Sequence, residues 1–193
     1  MPVVHVHAPT SSESTVNVAL LESELRRNLQ GEVRFGAADR ALYATDSSNY
    51  RHVPIGVVVP RTTDDVVNAI AICRRHGTPV LGRGGGTSIA GQCCNVAVVI
   101  DTSKYLNHIL SIDTASETAR VQPGVVLDHL RNAASAHRLT FGPDPGTHRS
   151  CTLGGMIGNN SCGVHSMVLL PTRKAVMLFE QDNDPTSGGA VRQ

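Results

Sequence analysis

Residues Thr78 to Leu81 read as a β-strand, and the chain runs from them straight into Gly82-Arg83-Gly84-Gly85-Gly86-Thr87-Ser88. No other segment limits the fold as strongly. Without Cβ atoms, successive glycines can take positive φ and bring the main chain very close to another body. Two readings follow. The segment is a flexible turn, or it is a cradle whose N–H groups point inward at an anion. Thr87 and Ser88 would add hydroxyl donors to a cradle. Arg83 either faces outward, as loop arginines commonly do, or offsets anionic charge.

Spacing excludes two familiar phosphate loops. GxGxxG fails, because Gly82 and Gly84 are followed by Thr87, and Gly84 and Gly86 by Ile89. The P-loop fails because Gln92-Cys93 stands where Lys-Ser/Thr must follow Gly91. NTPase chemistry and a conventional nicotinamide fold are therefore disfavoured.

The flanking pattern is α/β. Val18, Leu21 and Leu25 mark one face of a helix that Gly31 would stop, and a second short helix is expected over Ala37 to Tyr43. Ile55 to Val59 is a β-branched run closed by Pro60, the signature of a buried strand. Thr62 and Asp65 resemble a capping box with Asp in place of Glu. Val66, Ile70 and Cys73 continue the helix to Arg74, Arg75 and His76, where Gly77 stops it. Val96 to Ile100 is a further strand. His108 to Ile112 and Glu117 to Gln122 pair around the turn at residues 113–116. Leu127, Leu130 and Ala134 mark a helix. Gly142 to Gly146 is a rigid loop, and Thr152 to Gly163 a second stretch of glycines and small polar residues. Asn159 and Asn160 in it have a plain reading as turn formers.

Composition narrows the partners. The 193 residues carry a formal charge of +1 with no long basic run, and aromatics are 3% with no Trp. Nucleic acid is disfavoured, since it is held by basic grooves and stacking platforms. No apolar stretch of membrane-spanning length occurs, and Met1 to Thr10 lacks a signal-peptide pattern, so a cytoplasmic location is expected. Five cysteines without a CxxC pair suggest reduced thiols and no metal site. The His5/His7 pair falls in a polar stretch expected to be a mobile tail.

Four segments taken in order carry a family resemblance. They are Pro79 to Ser88, Gln122-Pro123-Gly124-Val125, Pro143-Asp144-Pro145 and Thr152 to Gly163. Together they resemble FAD-linked oxidases of the vanillyl-alcohol oxidase and p-cresol methylhydroxylase (PCMH) type, in the D-lactate dehydrogenase and glycolate oxidase branch. Ser48-Asn49-Tyr50-Arg51 with Val53-Pro54-Ile55-Gly56 resembles large members that carry an iron–sulfur half.

The resemblance implies an α+β fold of α/β layers, with two α/β subdomains gripping FAD, the second incomplete. It implies a tail over 1–16, a helical segment over 17–46, an FAD-binding domain over 47–171 and an irregular tail over 172–193. The residues it assigns to the cofactor are Arg83, Gly84, Gly85, Gly86, Thr87, Ser88, Gly91, Gln92, Gly124, Pro143, Asp144, Thr152, Gly155, Gly158, Asn159, Ser161, Cys162 and Gly163. Thr87 stands where some members tether FAD through a His, which implies noncovalent FAD. The activity implied is oxidation of a D-2-hydroxy acid such as D-lactate or glycolate. The alternatives are a noncatalytic FAD-binding fragment or subunit needing a second chain, and an inactive remnant. After Ser166 the expected continuation is replaced by Met167-Val168-Leu169-Leu170-Pro171-Thr172, and a truncated or altered reading frame is expected there. No residue can be assigned as catalytic base, and His148 and His165 read as structural or surface residues.

Overall fold

The computed structural model describes residues 16–163. The expected tail over 1–16 apart from Val16, the expected tail over 172–193, His5, His7, His165 and the change near Met167 lie outside the described residues.

The first layer is a four-stranded sheet. Its strands are β1 (Glu32–Arg34), β2 (Gly56–Val59), β3 (Val80–Arg83) and β4 (Val98–Asp101), in the order β1-β2-β4-β3. β2 and β3 both run parallel to β4, and β1 pairs antiparallel with β2, Val33 opposite Val58. Every residue of β2 and β4 is buried. Continuous Val/Ile runs suit such strands, because both faces must be apolar.

One face packs against α1 (Val18–Asn28) and α3 (Thr63–Arg75). Leu21, Leu25, Ala69, Ile72 and Cys73 meet Val58, Val98 and Ile100 there. Val16 packs onto this core as well, so the folded part begins inside the stretch expected to be a tail. Burial pushes the Cys73 thiol up to about 11, which makes it a packing group and not a reactive one. The other face joins Val57, Val59 and Val99 to Tyr43, Leu81 and Tyr105, with α2 (Ala37–Leu42) above it.

α3 begins and ends as its sequence dictates. Thr62 Oγ1 accepts from the Asp65 amide at 3.1 Å, and Gly77 follows the C-cap with φ +60°. The reciprocal half of the capping box is absent. The Asp65 carboxylate, 2% exposed, instead accepts from the amides of Gln30 (2.8 Å) and Arg61 (2.9 Å). It stitches the chain ahead of β1 to the turn ahead of α3. Gly31 belongs to that stitch. α1 has already ended at Asn28, and Gly31 is needed because a Cβ there would strike the Val59 carbonyl and lie 2.9 Å from the Pro60 Cα.

The second layer is smaller. β5 (Ile109–Asp113) and β6 (Thr118–Val121) form an antiparallel hairpin. α4 (Leu127–Ser135) and α5 (Leu153–Asn159) pack with it around Leu127, Leu130, Leu153 and Met156. The fold is therefore the expected α+β arrangement of two α/β parts. β1 and α5 are the elements that the hydrophobic pattern does not disclose.

Two outcomes test this account. Asp65→Ala removes the acceptor shared by the Gln30 and Arg61 amides, and should cost about 1–3 kcal/mol in denaturant unfolding. Glu32 supplies the second. Hydrogen bonds from Lys104, Tyr105 and Arg34 lower its carboxyl from 4.5 to about 2. A group depressed in the folded state stabilises above its unfolded pKa and loses that contribution as pH falls through the folded one. Stability should therefore drop between about pH 4.5 and 2, and the drop should be shallower in Glu32→Gln, as read by melting temperature against pH.

Candidate functional site

β3 delivers the chain into the glycine loop, and residues 84–97 serve as the crossover to parallel β4 without any helix. Parallel neighbours need a long connection. Here that connection carries the candidate site.

The loop lies against the start of α5. A Cβ on Gly84 would overlap Thr152 Oγ1, and one on Gly85 would overlap the Ser150 carbonyl oxygen. Two stretches separated by some sixty residues of sequence therefore touch main chain to main chain, and only glycine permits it. Between them runs a groove lined by Gly84 to Ser88, Cys93, Cys151, Thr152, Gly155, Met156, Asn159 and Ser161. Asn159 Nδ2 spans it, 3.5 Å from Ser88 Oγ and 3.2 Å from the Gly155 carbonyl.

The groove is rich in donors. Among the described residues, no hydrogen bond engages the amides of Gly85, Gly86, Thr87 or Ser88. Gly86 has φ +65°, the left-handed conformation that anion-binding nests use in alternation with a right-handed one. The opposite wall is α5. Thr152 caps it, accepting from the Gly155 amide at 3.4 Å, while the Leu153 and Gly154 amides donate to Val125 and Pro123. The wall is thus a fixed surface whose own amides are occupied, and the loop is where free donors lie.

Among the described residues, no His, Asp, Glu, Lys or Arg lines the groove. Burial raises the Cys151 thiol, and Cys93 Sγ sits 3.2 Å from Ser88 Oγ. The arrangement can hold an anion and position it. It has no acid–base pair of its own.

The remaining sequence-derived candidates occupy other places. Arg83 faces inward, its guanidinium on the carbonyls of Tyr43, Thr45 and Cys93, and it does not line the groove. Gly91 has φ +77° and packs on the Tyr50 ring. Gln92 accepts from the Ala90 amide at 3.2 Å. Gly124 is a packing glycine, its amide 2.7 Å from the Leu106 carbonyl and its α-carbon against the Thr102 carbonyl. The Pro143-Asp144 turn is held by Arg131, which donates to the carbonyls of Phe141 and Pro143 and pairs with Asp144 at 2.7 Å. Gly163 packs against the Asp144 carbonyl, and Cys162 is exposed. Gly158 is exposed, and a Cβ there would meet nothing within 4 Å. His148 is structural, as read: its Nδ1 lies 2.8 Å from Asp128 and fastens the 146–150 turn to α4. Sequence reasoning missed Arg131 and Asp46, neither of which belongs to a glycine segment.

A strand feeding a glycine loop whose amides are unengaged among the described residues, set beside a groove, defines an α/β module of the anion-binding class. Residues 54–176 match the family of FAD binding domains, and the chain belongs to that family. It is 34% identical over 145 residues to the glycolate oxidase subunit GlcD of Bacillus subtilis, covering 74% of this chain and 31% of that protein. It is 34% identical over 160 residues to D-2-hydroxyglutarate dehydrogenase of Pseudomonas putida, covering 81% and 16%. The chain thus spans less than a third of these relatives' length. Among solved structures it resembles an alkyldihydroxyacetonephosphate synthase (TM-score 0.69, 21% identity, 85% of this chain and 32% of that one). It also resembles p-cresol methylhydroxylase (TM-score 0.64, 19% identity, 74% and 29%), which establishes the fold.

The close approach has a built-in control. Gly85→Ala forces a methyl against a main-chain carbonyl and should cost about 1–3 kcal/mol in denaturant unfolding. Gly82→Ala, whose Cβ would meet nothing within 4 Å, should stay within about 0.5 kcal/mol of the parent.

Proposed function

We propose that the chain is the FAD-holding portion of a flavin-dependent oxidoreductase for a D-2-hydroxy acid, with the cofactor bound noncovalently. The observation that carries the reading is the Gly85 to Ser88 stretch, its amides unengaged among the described residues, lining one groove with the capped α5.

The roles follow from the donors present. The amides of Gly85 to Ser88 would bind the pyrophosphate, with the Thr87 hydroxyl beside them. Asn159 and Ser161 would orient the adjoining part of the cofactor from the α5 wall. Buried Met156 and Cys151 form the apolar floor that excludes water. FAD, when bound, supplies the two-electron redox chemistry. Thr87 offers no tethering nitrogen, which supports noncovalent binding.

The substrate class rests on the named relatives, which act in glycolate and D-2-hydroxyglutarate oxidation. Among the described residues the groove lining offers no base, so the group that takes the hydroxyl proton is sought outside that lining, in the rest of the protein or in a partner. That same lack favours a second reading, an FAD-binding subunit that turns over only with a second chain. The division into a helical segment ahead of residue 47 and a flavin domain after it belongs to this proposal.

The test is the purified chain after FAD loading and desalting. Flavin absorption should survive desalting and pass into the supernatant on acid precipitation; colour left in the pellet would mean a covalent link. Anaerobic glycolate, D-lactate or D-2-hydroxyglutarate should bleach the bands if the chain is sufficient. Bound but unbleached flavin would support the subunit reading. A colourless product would refute the assignment.

A further inference from the structure

The glycine loop is held from outside by a segment that precedes the matched family domain. Residues 43–50 lie alongside it and engage it at four points. The Ser47 amide and Oγ both donate to the Gly86 carbonyl, at 3.1 and 3.2 Å. Asp46 Oδ2 accepts from the Cys93 amide at 3.2 Å. The Tyr50 ring fills the space beside Gly91, where a Cβ would come within 2.9 Å. Arg83 closes the set. Its Nη1 donates to the carbonyls of Tyr43 (3.4 Å) and Cys93 (3.2 Å), and its Nη2 to the carbonyl of Thr45 (2.9 Å).

Arg83 therefore joins both ends of the loop to the 43–50 segment. Its Nη2 would lie 2.8 Å from a Cβ on Gly86, so the guanidinium backs directly onto the loop's positive-φ residue. Its plane also stands over the Tyr43 ring at 5.3 Å, and Tyr43 is itself fixed by donating to Asp101 at 2.7 Å. A planar fork that reaches three carbonyls is a task for arginine that lysine cannot copy.

We infer that Arg83 is a positioning residue, which fixes the 43–47 segment so that Ser47 holds the Gly86 carbonyl back and the Thr87 amide of that peptide unit stays turned toward the groove. With the Gly86 carbonyl drawn to Ser47, the Thr87 N–H of the same planar trans peptide faces the other way. The cost of ordering a triple-glycine loop is then met before a ligand arrives, and affinity gains what preorganisation saves. This inference rests on the FAD reading above. It differs from a phosphate-ligand role for Arg83, in which charge alone would matter.

The experiment titrates the full-length chain with FAD by flavin fluorescence, using Arg83→Lys, Arg83→Met and Ser47→Ala. Each variant is first checked for a parental circular dichroism spectrum. Hydrogen exchange of the loop is followed in the absence of FAD. Both Arg83 variants should bind at least ten-fold more weakly than the parent and within about three-fold of each other. Ser47 is exposed and its replacement tolerable, so Ser47→Ala should bind a few-fold more weakly with an unchanged melting temperature. Exchange at residues 84–88 should quicken in all three. Parental affinity in Arg83→Lys with loss only in Arg83→Met would overturn the inference in favour of a charge role, leaving the FAD reading intact. Parental exchange and affinity in Ser47→Ala would also overturn it. Failure of the parent chain itself to bind FAD would overturn both.

Discussion

Gly85 presses its main chain on that of Ser150 while Gly84 lies against the Thr152 side chain, and the site depends on that contact. Any Cβ in this seam would push the loop off α5 and open the groove. The two layers of the fold serve the contact from opposite sides. Fully buried β2 and β4 fix β3 in parallel register, Val80 beside Val98 and Arg83 beside Asp101, and so fix where the loop leaves the sheet. On the other side the Leu153 and Gly154 amides bond to Val125 and Pro123, which fixes where α5 begins. The groove is what remains between two rigid launching points.

Much of this was legible because it was local. Thr62, the Arg74-Arg75 pair and Gly77 announce α3 through capping and charge, and the Val/Ile runs announce β2 and β4. β1 was hidden because Glu-Val-Arg is too short to show a period, and it forms only through its pairing with β2. α5 was hidden because three glycines in Leu-Gly-Gly-Met-Ile-Gly-Asn depress helix propensity. Its signal was present in Thr152 as N-cap and in the i, i+3 apolar pair Leu153 and Met156. Asp65 shows the limit of local reading. Its spacing from Thr62 is right for a capping box, yet its carboxylate bonds to Gln30, a partner that sequence distance conceals.

The candidate site divides in the same way. The glycine segments were visible as segments, and the structure brings the loop and the Thr152 stretch together in one groove. What could not be read was which residues brace them. Arg83 lies inside the visible motif but turns away from the groove. Asp46, Ser47 and Arg131 lie outside every motif and work through carbonyls and amides, which leave no mark on the pattern of side chains. Asp46 carries its charge into a half-buried place. Burial opposes ionisation there, and bonds from Ser48 and the Cys93 amide outweigh it, so its carboxyl stays below the usual range.

The glycines themselves separate what the protein needs from what a ligand needs. Gly31, Gly124 and Gly154 are demanded by neighbouring chain, and Gly86 and Gly91 by positive φ. Gly158 is demanded by neither. It sits in the last turns of α5 with nothing within 4 Å of a Cβ, where alanine would favour the helix by about 0.5–1 kcal/mol. A bare stretch on the helix that walls the groove supports a body that approaches the main chain from outside the protein. Gly82 and Gly146 are likewise open among the described residues, but Gly158 alone of the three stands on the helix that walls the groove, where the proposed ligand would lie.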